Sequence, residues 1–159
     1  WRYLIGDTIR FVDLEHQEVV ITGRTKHFLS LTGEHLSVDN MNKAIEQVSQ
    51  EFNVSIPEYT VVGFPYENFF AHRWYVSTND HIDPKALRDR IDAILREIND
   101  DYAIERDSAL KEVFLEVLPE ESFMQFMAEK GKIGSQHKFP RVMKGKMLAD
   151  WEAFLSRRS

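Results

Sequence analysis

The sequence predicts an α+β fold in which a mostly antiparallel sheet is covered by helices. Short runs rich in β-branched and aromatic residues predict strands, and longer stretches with apolar residues at helical spacing predict helices. The two kinds of segment alternate at irregular intervals along the chain. With 159 residues, of which 43% are apolar, the chain can bury one sizeable core but is short for two.

The first part of the chain predicts two hairpins and a helix. Residues 8–14 and 18–22 are rich in β-branched and aromatic side chains and flank a polar turn, and residues 28–37 predict a second, shorter hairpin. From Val38 the apolar residues recur at helical spacing, and Ser37 is a suitable amino-terminal cap. The apolar stripe of this first helix consists of Met41, Ala44, Ile45, Val48 and Phe52.

The middle of the chain predicts three strands and a second helix. Residues 59–64 and 69–77 predict a pair of strands joined by a turn, and residues 110–118 alternate as a further strand. Asp83 is a cap and Pro84 the first residue of the second helix, where its missing N–H does no harm. The apolar stripe of that helix consists of Leu87, Ile91, Ile94, Leu95 and Ile98.

The remaining segments predict helices and a loop. Residues 100–107 predict a short helical or irregular connection, and a helix begins at Pro119 and ends at Gly131. A loop follows over residues 132–142. The last helix presents the apolar residues Met147, Leu148, Trp151, Phe154 and Leu155.

Composition argues against several classes of protein. A formal net charge of −6 opposes an electrostatic nucleic-acid footprint, which depends on clustered Lys and Arg. The absence of cysteine excludes disulfides, Cys-ligated zinc and thiol catalysis, and no two of the six histidines stand at helical ligand spacing. No apolar run approaches the roughly 20 residues that span a bilayer, and no signal-peptide pattern is present. We therefore expect a cytoplasmic protein that binds neither nucleic acid nor membrane, and no metal site formed by this chain.

The beginning of the chain carries two candidate ligand-binding elements. Tyr3, Gly6 and Asp7 belong to the sequence Tyr-Leu-Ile-Gly-Asp. Glycine allows the backbone to approach a ligand closely, and an ionised carboxylate can accept two hydrogen bonds at once. Arg24 and Lys26 follow the predicted hairpin in the sequence Gly-Arg-Thr-Lys. The alternative interpretation is an ordinary turn followed by a hairpin end with two solvated cations.

A third element lies near the carboxyl terminus. Residues 136–141 read Gln-His-Lys-Phe-Pro-Arg, with Lys138 as the central cation. The alternative interpretation is a basic surface loop, because six cations cluster in this region. They are Lys130, Lys132, Lys138, Arg141, Lys144 and Lys146.

In their order and spacing these elements resemble the motifs of the GH3 acyl-acid amido synthetases, a family of adenylate-forming enzymes. The resemblance implies that Asp7 accepts hydrogen bonds from the ribose hydroxyls of ATP. Tyr3 and Gly6 would complete that nucleotide-binding motif, and Arg24 would contact the ribose or phosphate side. Lys26 would be the hinge about which a carboxyl-terminal lid domain swings.

The resemblance also implies a catalytic lysine near the carboxyl terminus. The family's Gln-x-Lys-x-Pro-Arg signature selects Lys138, whereas the broader adenylate-forming pattern, a lysine six residues after a proline, selects Lys146 through Pro140. More residues match around Lys138, so it is the first choice and Lys146 the alternative. Ser30 stands where relatives with thiol acceptors often carry a lysine, three residues before Gly33, which favours an amine acceptor.

The resemblance further implies a division of the chain and a function. Residues 1–24 would end a large adenylation domain, and residues 25–159 would form the lid. The chain is then the carboxyl-terminal part of an ATP-dependent ligase that activates a carboxylic acid and transfers it to an amine, as in an amino acid. ATP and Mg²⁺ would be bound mainly by the preceding domain, so the isolated chain should fold without catalysing the reaction. The alternative function is a non-catalytic α+β binding or interaction module.

Overall fold

The computed structural model describes residues 7–13, 15–16, 18–24, 28–30, 33, 35–131 and 138–158. Two small antiparallel ladders lead the chain. Strand β1 (Asp7–Asp13) pairs with β2 (Glu18–Arg24), and β3 (Phe28–Leu29) pairs with β4 (Leu36–Ser37). Both hairpins that the sequence predicts are therefore present, the second with strands of only 2 residues each.

Helix α1 (Val38–Phe52) begins at a capping box around Ser37. The Ser37 hydroxyl accepts a hydrogen bond from the Asn40 backbone N–H (3.1 Å), and the Asn40 side chain accepts one from the Ser37 backbone N–H (3.2 Å). These bonds satisfy N–H groups that a helix start leaves without partners. The helix ends at Asn53 in the left-handed conformation, with φ of 54°. Four members of the predicted stripe are buried, namely Met41, Ala44, Ile45 and Val48. Phe52, in the last turn, is 37% exposed.

The central sheet is formed by strands β5 (Tyr59–Tyr66), β6 (Phe69–Ser77) and β7 (Leu110–Leu118), with β6 in the middle. β5 and β6 form the predicted antiparallel hairpin. Helices α2 (Pro84–Ile98) and α3 (Asp100–Asp107) carry the chain back to the starting end of β6, so β7 lies parallel to it. Three of the four strand pairs in the described residues are antiparallel, which confirms the predicted α+β class and makes β7 the parallel exception.

Alternate residues of β5 divide between two cores, because successive side chains of a strand point to opposite faces of the sheet. Val61 packs in a first core with residues of α1 and α2. Val62 packs in a second core with residues of helices α4 (Glu120–Glu129) and α5 (Gly145–Ser156). The sheet is therefore enclosed between two helical layers, and the second layer carries the carboxyl-terminal motif.

The residues that the sequence marks as helix boundaries take those roles. The Asp83 side chain accepts hydrogen bonds from the backbone N–H groups of Lys85 (3.0 Å) and Ala86 (3.3 Å) at the start of α2. Pro119 precedes α4, and Gly131 follows it with φ of 68°, a conformation that favours glycine. None of the helices in the described part of the chain is long and apolar enough to span a bilayer. The division between residues 24 and 25 stays a prediction, since residues 25–27 are outside the description.

Candidate functional site

The carboxyl-terminal motif is packed against both cores of the fold. The Phe139 ring is buried in the second core, with its centroid 4.7 Å from that of Phe123 and 5.4 Å from that of Trp151. Met143 is buried in the same core, whereas Val142 packs against the first. The segment that follows Lys138 is therefore fixed on both sides of the sheet.

The same segment extends the central sheet by one short parallel bridge. Val142 pairs with Val61 of β5. The Val61 N–H donates to the Arg141 carbonyl (2.9 Å), and the Met143 N–H donates to the Val61 carbonyl (3.1 Å). Part of the edge of β5 is thus covered by the motif itself, which fixes the path of its backbone.

The arginine of the motif makes three contacts at the start of β5. Arg141 Nη1 donates to Glu58 Oε2 (2.5 Å) and to the Tyr59 carbonyl (3.1 Å). Its guanidinium carbon lies 4.3 Å from the centroid of the Tyr59 ring, within cation–π range. Tyr59 is itself held, because its hydroxyl donates to Asn42 Oδ1 (2.6 Å). Burial raises the pKa of the Tyr59 hydroxyl, which therefore stays a proton donor at neutral pH.

The first-choice lysine is presented to solvent by this anchored segment. Lys138 is exposed, whereas its neighbour Phe139 is only 4% exposed. Within the described residues the Lys138 ammonium has no ion-pair partner. The Lys138 ammonium, carried by a fixed backbone, is therefore available to bind an anionic ligand at this surface.

Lys146, the alternative, is also exposed but takes part in the electrostatics of a helix surface. It lies in the first turn of α5, one turn before Asp150. The hydrogen bond from Lys130 and, more weakly, the charge of Lys146 hold the pKa of the Asp150 carboxyl below its usual value. Lys146 therefore has a structural explanation that Lys138 does not have, and both stay candidates for contact with phosphate.

The leading hairpin brings two of the amino-terminal candidates together. Asp7 and Arg24 are direct partners in the β1–β2 ladder, where Cα atoms of opposite residues are about 4.5 to 5.5 Å apart. Tyr3, Gly6 and Lys26 lie outside the described residues, and so do the side chains of Asp7 and Arg24.

The candidate residues therefore form two groups. Asp7 and Arg24 belong to the leading hairpin, and Lys138 and Lys146 belong to the second helical layer. If both groups bind the same nucleotide, the nucleotide must contact the hairpin residues and the lysine segment at the same time.

Beside Arg141 lies an open groove of about 560 Å³. Its walls combine polar side chains of α1, such as Asn42 and Glu46, with the apolar side chains of Ile56 and Pro57. No group of three His, Cys, Asp or Glu side chains that could hold a metal ion occurs in the part of the chain that the structure describes.

Two other features have structural roles. His72 of β6 is buried. In the aromatic tract formed by residues 64–70, Phe64 and Tyr66 pack against Phe114 of β7, with ring centroids 6.1 Å and 5.4 Å away. The Arg73 guanidinium covers the Phe64 ring at 5.3 Å. These aromatic side chains therefore pack within the sheet.

Sequence reasoning missed Glu58 and Tyr59, the residues that hold the motif arginine. Glu58 precedes a predicted strand and lies 83 positions before Arg141. The sequence holds only an indirect signal for them. An arginine that becomes partly buried needs a carboxylate partner, because a buried charge without a partner is costly.

Comparisons with known proteins agree with the fold. A family model described as the GH3 family C-terminal domain matches residues 39–146. A structure of the GH3.15 acyl acid amido synthetase is similar with a TM-score of 0.71 and 18% identity, over 94% of this chain and 30% of that one. A second, AtGH3.15 acyl acid amido synthetase in complex with 2,4-DB, is similar with a TM-score of 0.67 and 20% identity, over 94% of this chain and 29% of that one.

The solved structures show a shared fold, and this chain spans about 30% of the length of the first of them. The comparison with curated proteins found no match. The family model, however, covers well over half of the sequence, from the first turn of α1 to the first turn of α5. The chain therefore belongs to the GH3 family, of which it carries the C-terminal domain.

Proposed function

We propose that this domain is the lid of an acyl acid amido synthetase, an ATP-dependent ligase that joins a carboxylic acid to an amine such as that of an amino acid. The observation that carries the proposal is the exposed Lys138 on a segment anchored in both cores. The similar solved structures are themselves named acyl acid amido synthetases. Because the chain spans about 30% of such a protein, the activity belongs to a longer polypeptide.

The proposed reaction has two steps. In the first, a carboxylate oxygen of the acid attacks the α-phosphorus of ATP, the acyl–phosphate bond forms, and the bond to pyrophosphate breaks. In the second, the amine nitrogen attacks the acyl carbon, the C–N bond forms, AMP leaves with the electron pair of the broken C–O bond, and the amine loses a proton.

The two groups of candidate residues have different tasks in this reaction. Asp7, within the motif that includes Tyr3 and Gly6, binds the ribose hydroxyls, and Arg24 contacts the ribose or phosphate side. Their pairing in the β1–β2 ladder supports a shared role at one ligand. Lys26 is the hinge. Mg²⁺ would be bound mainly by the preceding domain, so we assign it no step on this domain.

Lys138 would act by charge. Negative charge grows on the α-phosphate as the carboxylate attacks, and a nearby ammonium stabilises it. A pair of unit charges about 4 Å apart interacts with about 1 kcal/mol in water and about 4 kcal/mol at an effective dielectric constant of 20. The difference of about 3 kcal/mol corresponds to roughly a hundredfold in rate, so lid closure and water exclusion matter as much as the cation itself.

The test replaces each lysine of the segment in the full-length protein. We expect Lys138→Ala to slow ATP–pyrophosphate exchange by about a hundredfold, because the closed lid then lacks its cation. Lys144→Ala removes another exposed lysine between the two candidates and should leave the exchange rate unchanged. Thermal unfolding of each variant checks that the fold is intact.

Two results contradict this assignment in different ways. If Lys146→Ala slows exchange and Lys138→Ala does not, the signature selects the wrong lysine. If neither substitution slows exchange, the lid does not deliver a cation from this segment.

A further inference from the structure

The segment that carries Lys138 is held by a side-chain contact that reaches across the fold. Phe139 and the backbone bonds to Val61 fix the segment from the second core and the sheet edge. The third attachment is Arg141, which is bonded to Glu58 Oε2 and to the Tyr59 carbonyl. Glu58 therefore helps to hold the chain at Arg141, which lies three residues after Lys138.

The partners of Arg141 are rigid. The Tyr59 ring stacks on Trp74 with centroids 5.8 Å apart, and both rings are buried in the first core. The Tyr59 hydroxyl is bonded to Asn42 of α1. The Arg141 guanidinium has little freedom, because its Nη1 donates to a carboxylate and to a carbonyl while its carbon lies over an aromatic ring.

The rate of adenylation should depend on where the segment places the Lys138 ammonium. An ammonium that must meet a phosphate loses effect when it is displaced, and an error of about 1 Å at a reacting centre can cost roughly a hundredfold in rate. Removal of the Glu58 charge leaves the Phe139 ring and the sheet bridge in place. The segment should then stay folded while its backbone near Lys138 gains freedom.

We propose that Glu58 is a positioning residue for Lys138, acting through Arg141. The proposal rests on the proposed function, since it requires Lys138 to contact the nucleotide. Glu58 itself touches neither substrate nor phosphate in this scheme. Its loss should lower the rate of the adenylation step without weakening the binding of ATP.

A second partly exposed Arg–Glu pair serves as a matched control. Glu51 accepts hydrogen bonds from Arg90 Nε (2.6 Å) and Nη2 (2.8 Å), and the two glutamate side chains are similarly exposed, at 37% for Glu51 and 35% for Glu58. Glu51→Gln and Glu58→Gln remove one carboxylate charge each from an Arg pair. A purely structural effect should be similar in both variants.

The experiment measures adenylation and amine transfer separately in the full-length protein. For Glu58→Gln we expect kcat of ATP–pyrophosphate exchange to fall between about 10-fold and 100-fold with KM for ATP changed less than about threefold. Transfer from a preformed acyl-adenylate to the amine should change less than about twofold, since Lys138 has no part in it. Glu51→Gln should change neither half-reaction.

A double-mutant cycle tests whether Glu58 acts through the lysine. In a Lys138→Ala background, Glu58→Gln should slow exchange by less than a further twofold or so, because coupled residues are not additive. Glu58→Asp keeps the charge but shortens the side chain and should give an intermediate kcat. It replaces Glu58→Gln in the cycle if the latter fails to fold.

The outcomes separate the two proposals. If Lys138→Ala slows exchange but Glu58→Gln behaves like Glu51→Gln, the positioning role is wrong and the proposed function stands. The role is also wrong if Glu58→Gln has its full effect in the Lys138→Ala background. If Lys138→Ala has no effect on exchange, the assigned role of Lys138 fails, and the positioning role fails with it.

Discussion

Asp92 is the centre of a charge network between α2 and α3. Arg106 donates to both of its oxygens, Nε to Oδ1 and Nη2 to Oδ2, each at 2.9 Å, and the Tyr102 hydroxyl donates to Oδ1 at 2.6 Å. Burial by itself raises the pKa of the Asp92 carboxyl, but the bonds from Arg106 and Tyr102 outweigh it and hold the pKa below its usual value. The network joins the two helices of the crossover, and so supports the parallel placement of β7.

Replacement of Asp92 by Asn should destabilise the isolated domain by about 2 to 3 kcal/mol at neutral pH, because it leaves the Arg106 charge without its partner. The folded-state pKa lies below the unfolded value of about 3.9, so this contribution is present above pH 4 and is lost as the pH falls through the folded pKa. Urea unfolding of both proteins at a series of pH values measures the difference.

Glu129→Gln provides the control for Asp92→Asn. It removes the carboxylate of the exposed Arg157–Glu129 pair and should cost less than about 0.5 kcal/mol. A difference between Asp92→Asn and the unmodified domain that is the same at pH 3 and pH 7 would show that the Asp92 charge contributes nothing.

At the scale of elements, Trp151 of α5 is the centre of an aromatic cluster in the second core. Trp151 is fully buried, and its ring centroid lies between 5.0 and 5.7 Å from those of five aromatic residues. These are Tyr75, Phe123, Phe126, Phe139 and Phe154. The cluster joins α4, α5, the sheet and the segment behind Lys138.

Trp151→Ala should lower the free energy of unfolding by about 3 to 5 kcal/mol, because it removes a large buried ring and leaves a cavity. Urea unfolding measures the change. Met124→Ala on α4 is the matched control, since Met124 is 62% exposed and its truncation should cost less than about 0.5 kcal/mol. Equal effects of the two substitutions would mean that the aromatic cluster does not secure this layer.

The elements could be predicted from the sequence because their signals are local. The stripe of α1, its cap Ser37 and the Asp83 cap of α2 all lie within a few residues of the structure that they determine. The parallel direction of β7 and the bridge of Val142 to Val61 have no local signal, because they depend on where distant segments meet.

The same distinction between local and long-range signals applies to the candidate site. Lys138 could be selected from its neighbours in the sequence, whereas its supporting contact could not, since Glu58 lies 83 positions from Arg141. Short-range pattern therefore predicts a candidate cation. The tertiary fold determines which residues hold its segment.

At the scale of the whole molecule, the described side chains of the leading hairpin belong to neither core. It exposes four apolar residues, with exposed fractions between 39% and 56%: Phe11, Val12, Val19 and Val20. A two-stranded ribbon is at best marginally stable alone in water. The predicted division after residue 24 would place this ribbon in a neighbouring domain, and exposed apolar side chains are typical of a surface that another domain covers.

The isolated chain should therefore fold around its two cores and yet release no pyrophosphate from ATP with any acid of a test panel. Lys138 on an uncovered surface interacts with a phosphate through water, where a charge pair about 4 Å apart is worth only about 1 kcal/mol. Circular dichroism shows whether the domain is folded, and a coupled pyrophosphate assay compares it with the full-length protein under the same conditions. If the proposed function is right, a preceding domain of the full-length protein covers both Asp7 and Lys138, so the full-length protein alone should be active. Pyrophosphate release by the folded, isolated chain would mean that these 159 residues contain a complete nucleotide site and that the lid assignment is wrong.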